Sequence, residues 1–257
     1  MQTLHLFQAV LKKQLRIMRS YGFNTVVQLF TLVLFFAFLY FGARWVATPQ
    51  RLGETLEALI LGYWIWVGLI LSLSQFTWNI TTYAQQGLLE QLFMTPWRLH
   101  RVLAVEAAAS FTVDTLLNLL MLLAFMLISG HWLALEPLTT LALYVLTLLP
   151  GFGLGYILAG LAMRYKNIQS LFNIVQFALV PLQMLPVDRY PGLNVFPFAL
   201  GVRMLLQHAQ EGTRLWEFPP HLWAILLAQA VLYLGLGLAV YHRLETAARE
   251  RGLLGHY

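Results

Sequence analysis

A chain of 257 residues of which 59% are hydrophobic and 11% charged, with a mean hydropathy of +0.68, leaves too little polar surface for a soluble domain of ordinary composition and implies an integral membrane protein. The formal net charge of +5 does not point to nucleic acid, because the basic residues lie beside the apolar segments and not in one exposed cluster. No cysteine is present, which excludes disulfides, thiolate catalysis and Cys-based zinc or iron–sulfur sites.

Residues 1–22 read as an amphipathic helix lying on the membrane surface. Leu4, Phe7, Leu11, Leu15 and Met18 recur at helical spacing, and Lys12, Lys13, Arg16 and Arg19 fall on another face. A cleavable signal is not expected, since the basic residues are spread along this stretch and no small-residue cleavage site follows the first apolar run.

Crossing a bilayer as helix takes roughly 17–25 apolar residues. Residues 25–41, 59–80, 102–129, 138–162, 170–185 and 222–241 are six such runs, giving a core over 23–241 and a tail over 242–257 in one all-α membrane domain. An even number of spans places both ends on one side. With that side inside, Lys12, Lys13, Arg16, Arg19, Arg98, Arg101, Arg164, Lys166, Arg243, Arg249 and Arg251 are cytosolic, and Arg44, Arg51, Arg189, Arg203 and Arg214 are outside. This imbalance follows the positive-inside rule, and the expected location is the cell (inner) membrane with both termini cytoplasmic. The outer loops 42–58 and 130–137 are too short to fold as domains, so capture of a substrate by an external domain is not expected.

The loop between the second and third spans, GLLEQLFMTPWR, is the most informative segment. As a helix it sets Leu88, Leu89, Leu92 and Phe93 on one arc with Glu90 and Gln91 elsewhere, and Thr95-Pro96 ends it. An apolar arc on a water-facing loop calls for a docking partner. In the fourth span, Gly151, Gly155 and Ala159 form a strip of small side chains along which a neighbouring helix can approach closely. Beyond the fifth span, Pro181, Pro186, Pro191 and Pro197 break the pattern, and the apolar part, 196–206, is too short to cross and contains Arg203. A re-entrant helical hairpin on the outer side is expected, because a loose loop would leave Phe196, Phe198, Met204, Leu205 and Leu206 in water.

Polar side chains within spans are functional candidates by default. Glu106, close to Arg101 and the inner interface, is expected to pair with a basic neighbour. Asp114 lies near the midplane with Asn118 one turn further on the same face, Gln75 and Asn79 make a second pair, and Gln169, Asn173 and Gln176 make a third stripe. Two readings are open: these groups line a polar path, with Gln75, Asn79, Asp114, Asn118, Asn173 and Gln176 as its candidates, or they hydrogen-bond between helices. No constellation for an enzyme is legible. There is no GxSxG elbow and no HExxH pair, the histidines His5, His100, His131, His208, His221, His242 and His256 lie at or beyond span ends, and neither a catalytic group nor a metal set is expected. The three lysines do not follow a Walker A glycine spacing, so any ATPase would be another polypeptide.

On these residues the chain resembles the ABC-2-type transporter permeases, the membrane subunits of ABC exporters. The amphipathic N-terminal segment resembles that family's connecting helix. Gly87, Leu89, Glu90, Leu92, Thr95 and Pro96, within LLEQLFMTPWRLHRVL, resemble its coupling-helix loop. PLQMLP followed by FPFALGVR resembles its stretch between the last two spans, with Phe196-Pro197 standing where the family usually has Asn-Pro. The resemblance implies a permease that pairs with a second copy or a related permease, is docked by two ATP-binding subunits through the coupling helix, and carries no cofactor itself, ATP and Mg residing on the partner subunits. It implies export of a hydrophobic or amphiphilic, drug-like or lipid-like cargo. Trp64, Trp66, Phe76 and Trp78 leave polysaccharide or glycolipid export as the alternative, with an intramembrane enzyme or a scaffold subunit less favoured. Membrane lipid is the remaining expected partner.

Overall fold

The structure is a computed structural model and describes residues 2–46, 52–86, 99–165, 168–185, 187 and 189–250. Among the described residues it is all-helical: α1 (Gln2–Ser20), α2 (Gly22–Val46), α3 (Leu52–Gln85), α4 (Leu99–Ser129), α5 (Pro137–Tyr165), α6 (Gln169–Gln183), α7 (Ala199–Glu211) and α8 (Pro220–Glu250), with a 3-10 turn over Pro191–Val195. Five helices are long and apolar enough to cross a membrane: Gly22–Trp45, Leu56–Tyr83, Leu99–Ser129, Pro137–Tyr165 and Pro220–Ala248. They contain the expected first, second, third, fourth and sixth runs. The fifth run is the shorter α6, 15 residues and therefore about 22 Å of helix. Pro181 lies in its last turn, and Met184 ends it.

The helices extend beyond the apolar runs that announced them. α2 continues to Val46 and α3 begins at Leu52, so helix takes up much of the stretch 42–58 expected as a loop, and α8 continues the sixth run to Glu250. In α1 the inward face is centred on Val10, which is buried, with Phe7, Leu11, Gln14 and Met18 half-buried around it, whereas Leu15, expected on that face, is 52% exposed. One step of rotation separates the two faces, because α1 packs against α4 and tertiary contact, not the mean apolar direction, sets which side turns in.

The core is built on α5, which packs against α8 on one side and α3 on the other. Gly151 and Gly155 face Ser72 and Phe76 of α3, so the expected strip of small residues does admit a close neighbour. A second close approach has no counterpart in that strip. Gly153 meets the main chain of Tyr233 and Leu234, and Gly237 meets the main chain of Gly153, so α5 and α8 touch backbone to backbone.

After Met184 the chain turns back into the bundle. Met184 lines a cavity with Ala58 and Leu59 near the start of α3. Gly201 rests on Thr147, one residue from Leu148, which faces Gly68, nine residues further along α3 and so about 13 Å deeper. From there α7 runs back along α5: Gly201 lies against Thr147, and His208, seven residues on, lies against Thr140, seven residues back. Phe198 opens this helix with φ 76°, a conformation seldom adopted by a side chain of this size, and is 1% exposed. The irregular backbone before it is held from α8, where the Gln229 amide donates to the carbonyls of Asn194 and Phe196, the latter at 3.2 Å, and the Tyr233 hydroxyl donates to that of Val195 at 3.2 Å. Irregular chain buried away from water needs such donors. At the start of α5, Glu136 caps the helix by accepting the Thr139 N–H at 3.1 Å, and the Thr139 hydroxyl bound to it holds its carboxyl below the usual range.

Candidate functional site

Among the described residues, three polar clusters join α3 to α4. The first gathers at Glu106, which is 7% exposed. Its carboxylate accepts from the Tyr83 hydroxyl, from Asn79 Nδ2 at 3.5 Å and from Lys13 Nζ at 3.5 Å, and the same ammonium sits 5.9 Å from the centre of the Tyr83 ring. The basic neighbour of Glu106 is therefore Lys13 on α1. One buried carboxylate joins α1 to the last turns of α3 and the first turns of α4. Those two helices flank the 87–98 connection. The candidates Gly87, Leu88, Leu89, Glu90, Leu92, Phe93, Thr95 and Pro96 lie outside the described residues, as does Pro186 of the outer hairpin.

The second cluster lies deeper between α3 and α4, where Gln75 Nε2 donates to Asp114 Oδ2 at 2.8 Å. Asp114 is partly buried, and Gln75 is its direct partner across the helix pair. The third is an interhelical clamp. Trp64 Nε1 donates to the carbonyl of Asn118 at 2.9 Å, while Asn118 Nδ2 donates to the carbonyl of Trp64 at 3.1 Å and to the Tyr144 hydroxyl at 2.7 Å. The Trp64 and Tyr144 rings stack with centroids 4.5 Å apart. Asn118 has no exposed surface, so its amide is committed to joining α3, α4 and α5. Replacing it with alanine should lower stability by about 1–2 kcal/mol, since hydrogen bonds between membrane helices average well under that and the removed amide also packs. The measurement is the melting temperature in detergent, compared with Asn173→Ala on the exposed face of α6, which should leave it unchanged.

Asn173 and Gln176 stand apart from these clusters. They lie on α6 and bond to one another at 3.4 Å. Of the hairpin candidates, Pro191 opens the 3-10 turn, Pro197 is buried beside Phe198, Phe196 is 43% exposed, and Arg203 is half-buried on α7.

Two cavities are lined almost wholly by apolar atoms. One, about 750 Å³, lies between α1, α4, α5 and α8 and is bordered by Phe7, Phe111, Leu119, Leu149, Phe152 and Leu238. The other, about 520 Å³, lies between α2, α3 and α6 and is bordered by Phe35, Tyr63, Trp66, Phe177 and Met184. The Trp66 indole N–H is buried there with no hydrogen-bond acceptor among the described residues.

Sequence reasoning passed over Gln229 and Tyr233, which hold the turned-back backbone. A lone glutamine midway along an apolar run was the available signal. The meeting of His100 with His242 and Glu245 carries no local signal, since His100 and His242 are 142 positions apart in the chain.

The fold defines a multi-pass helical membrane protein, with five helices of spanning length around an α3–α5–α8 core. Compared with known proteins, the chain matches no family model and no curated protein.

Proposed function

We propose that the chain is the membrane permease subunit of an ATP-driven exporter, working as a pair of permeases with two separate ATP-binding subunits on the cytosolic side. The observation that carries this reading is the Glu106 cluster. The helix at the end of α3, the helix at the start of α4 and the surface helix α1 are pinned together around the connection that bears the apolar arc Leu88, Leu89, Leu92 and Phe93. A partner bound to that arc moves all three helices as one piece, which is what a drive from outside the membrane requires.

The placement of α6 favours six crossings. It runs antiparallel to α3, with Phe172 beside Trp78, Phe177 beside Trp66 and Met184 in the cavity at Ala58, so it covers most of the depth that α3 covers. The turned-back segment ending in α7 is then the outer re-entrant hairpin, and both termini are cytoplasmic.

A second permease is favoured by what α2 and α6 leave uncovered. Only 11% of the apolar window of α2 is buried, and α6 presents Asn173 and Gln176 on its outer face. Amide side chains facing hydrocarbon are costly and are relieved by another helix. The aromatic cavity between α2, α3 and α6, whose lining Phe35, Leu39 and Phe177 are exposed, has the Trp66 indole donor among apolar walls and suits a hydrophobic or amphiphilic cargo. Trp64 and Phe76 are buried in the protomer core, at 0% and 1% exposure, so only Trp66 and Trp78 of the four rings suited to a glycan conduit remain near a surface.

The test is to purify the chain with its neighbouring gene products in mild detergent, identify the complex by mass spectrometry, and assay ATPase activity with and without Leu92→Asp. An ATP-binding subunit should co-purify with the native chain and be lost, or hydrolyse ATP without transport, in the variant. A chain that runs without any nucleotide-binding companion, or transport unchanged by Leu92→Asp, would overturn the reading.

A further inference from the structure

We propose that His100, His242 and Glu245 form a binding site for one divalent transition-metal ion of the zinc class, at the end of the bundle where the 87–98 connection enters α4. Their ligand atoms all lie within 4.8 Å of one another. Around a zinc ion with bonds near 2.0–2.1 Å, tetrahedral ligands stand roughly 3.4 Å apart, so small side-chain rotations close the set. The His242 Nδ1 to Glu245 Oε2 distance is already 3.4 Å.

The local construction favours a shared ion over a direct hydrogen bond. At 3.4 Å the imidazole and carboxylate are longer than the usual N–H···O bond, but at the spacing of two ligands of one metal. His242 and Glu245 are three residues apart on α8, the spacing by which one helix offers a histidine and a glutamate to a metal from a single face. His100 comes from the first turn of α4, its ring 4.6 Å from that of His242 and at 81° to it, so the two imidazoles present nitrogens to a common point without stacking. Its backbone is steadied by the Tyr156 hydroxyl, which donates to the His100 carbonyl at 3.1 Å. Glu245 is buried at 7% exposure, so its carboxylate is held in place on α8. The His242 side chain is 47% exposed, which leaves an open approach for the ion and for water as a fourth ligand. Two imidazoles and one carboxylate suit zinc, cobalt or nickel better than calcium or magnesium.

Such an ion would brace α4, whose main neighbours are α1 and α3, to α8, whose main neighbour is α5. The site stands on its own geometry and does not depend on the transport reading. The experiment uses the full chain purified in detergent by an affinity tag without histidine, stripped with a chelator and titrated with Co²⁺ and then Zn²⁺. The expected result is one ion per chain, with visible cobalt absorption typical of a nitrogen–oxygen site that zinc abolishes, and a zinc-dependent rise in melting temperature. His100→Ala and His242→Ala should each weaken binding at least about tenfold. Glu245→Gln keeps the shape and should do the same while leaving the metal-free protein folded, whereas His221→Ala, exposed at the other end of α8, should bind as the native chain does. No saturable binding up to roughly 100 μM, or binding that survives all three substitutions, would overturn the proposal.

Discussion

Gly153→Leu is expected to prevent stable assembly of the α5–α8 pair, whereas Gly235→Leu, on α8 itself, should be tolerated. At Gly153 even a methyl group would overlap the main-chain oxygen and carbon of Tyr233, and at Gly235 nothing lies within 4 Å. Overpacking a core costs about 1–3 kcal/mol when flexible side chains can yield. Here the obstacle is the backbone of a helix that is itself held by the rest of the bundle, so the two helices must separate and lose contact along their whole length. The loss should exceed the upper end of that range. It would be read as a collapse in the yield of monodisperse protein, or as a fall in melting temperature well beyond the few degrees that 1 kcal/mol produces. Gly153→Ala should give a smaller loss of the same sign. A Gly153→Leu protein that melts with the native one would show that α5 and α8 do not meet at this point.

The second large effect is expected at Glu106. Glu106→Ala removes the acceptor of the Tyr83 hydroxyl, of Asn79 and of Lys13. The three contacts are not equal. Lys13 is 55% exposed and can turn to water, so its ion pair contributes little to stability. Tyr83 and Asn79 are less free to do so, and a hydrogen bond to a charged group contributes roughly 1.5–3 kcal/mol, which sets the expected loss. The functional consequence should exceed the thermodynamic one. With the pin removed, only apolar packing ties α1 to α4, and under the proposed mechanism ATP hydrolysis should continue while transport falls. Lys13→Gln should leave stability nearly unchanged and affect transport only partly. The checks are melting temperature and the ratio of transport to hydrolysis in vesicles. Equal losses of both activities in Glu106→Ala would mean that the cluster only stabilises the fold.

Much of the architecture was legible because the bilayer imposes it on the chain. Hydrocarbon leaves a helix as the available way to satisfy the backbone within one segment, and the length of each apolar run must match a fixed thickness. That is why 59–80, 102–129, 138–162 and 222–241 each lie inside an observed helix. The small-residue strip at Gly151 and Gly155 was legible for a similar reason, since it matters only when a neighbour approaches. The proline-rich stretch after α6 was expected to shelter its apolar residues, and Phe198, Met204 and Leu205 are indeed buried.

What composition and periodicity determined, then, is a helical membrane protein, the positions of its long apolar helices, and an amphipathic helix over Gln2–Ser20. Tertiary structure decided which polar groups belong together. Asn118 and Asp114 share a helix face four residues apart, yet one is sealed into a clamp with Trp64 and Tyr144 while the other meets Gln75. Lys13 reaches Glu106 across 93 positions of chain, and His100 meets His242 across 142. A local pattern records which side of a helix is polar, because that depends on 3.6 residues per turn. Which other helix that side faces depends on how five long helices pack, and this is settled by close approaches such as Gly153 against α8 that involve residues distant in the chain.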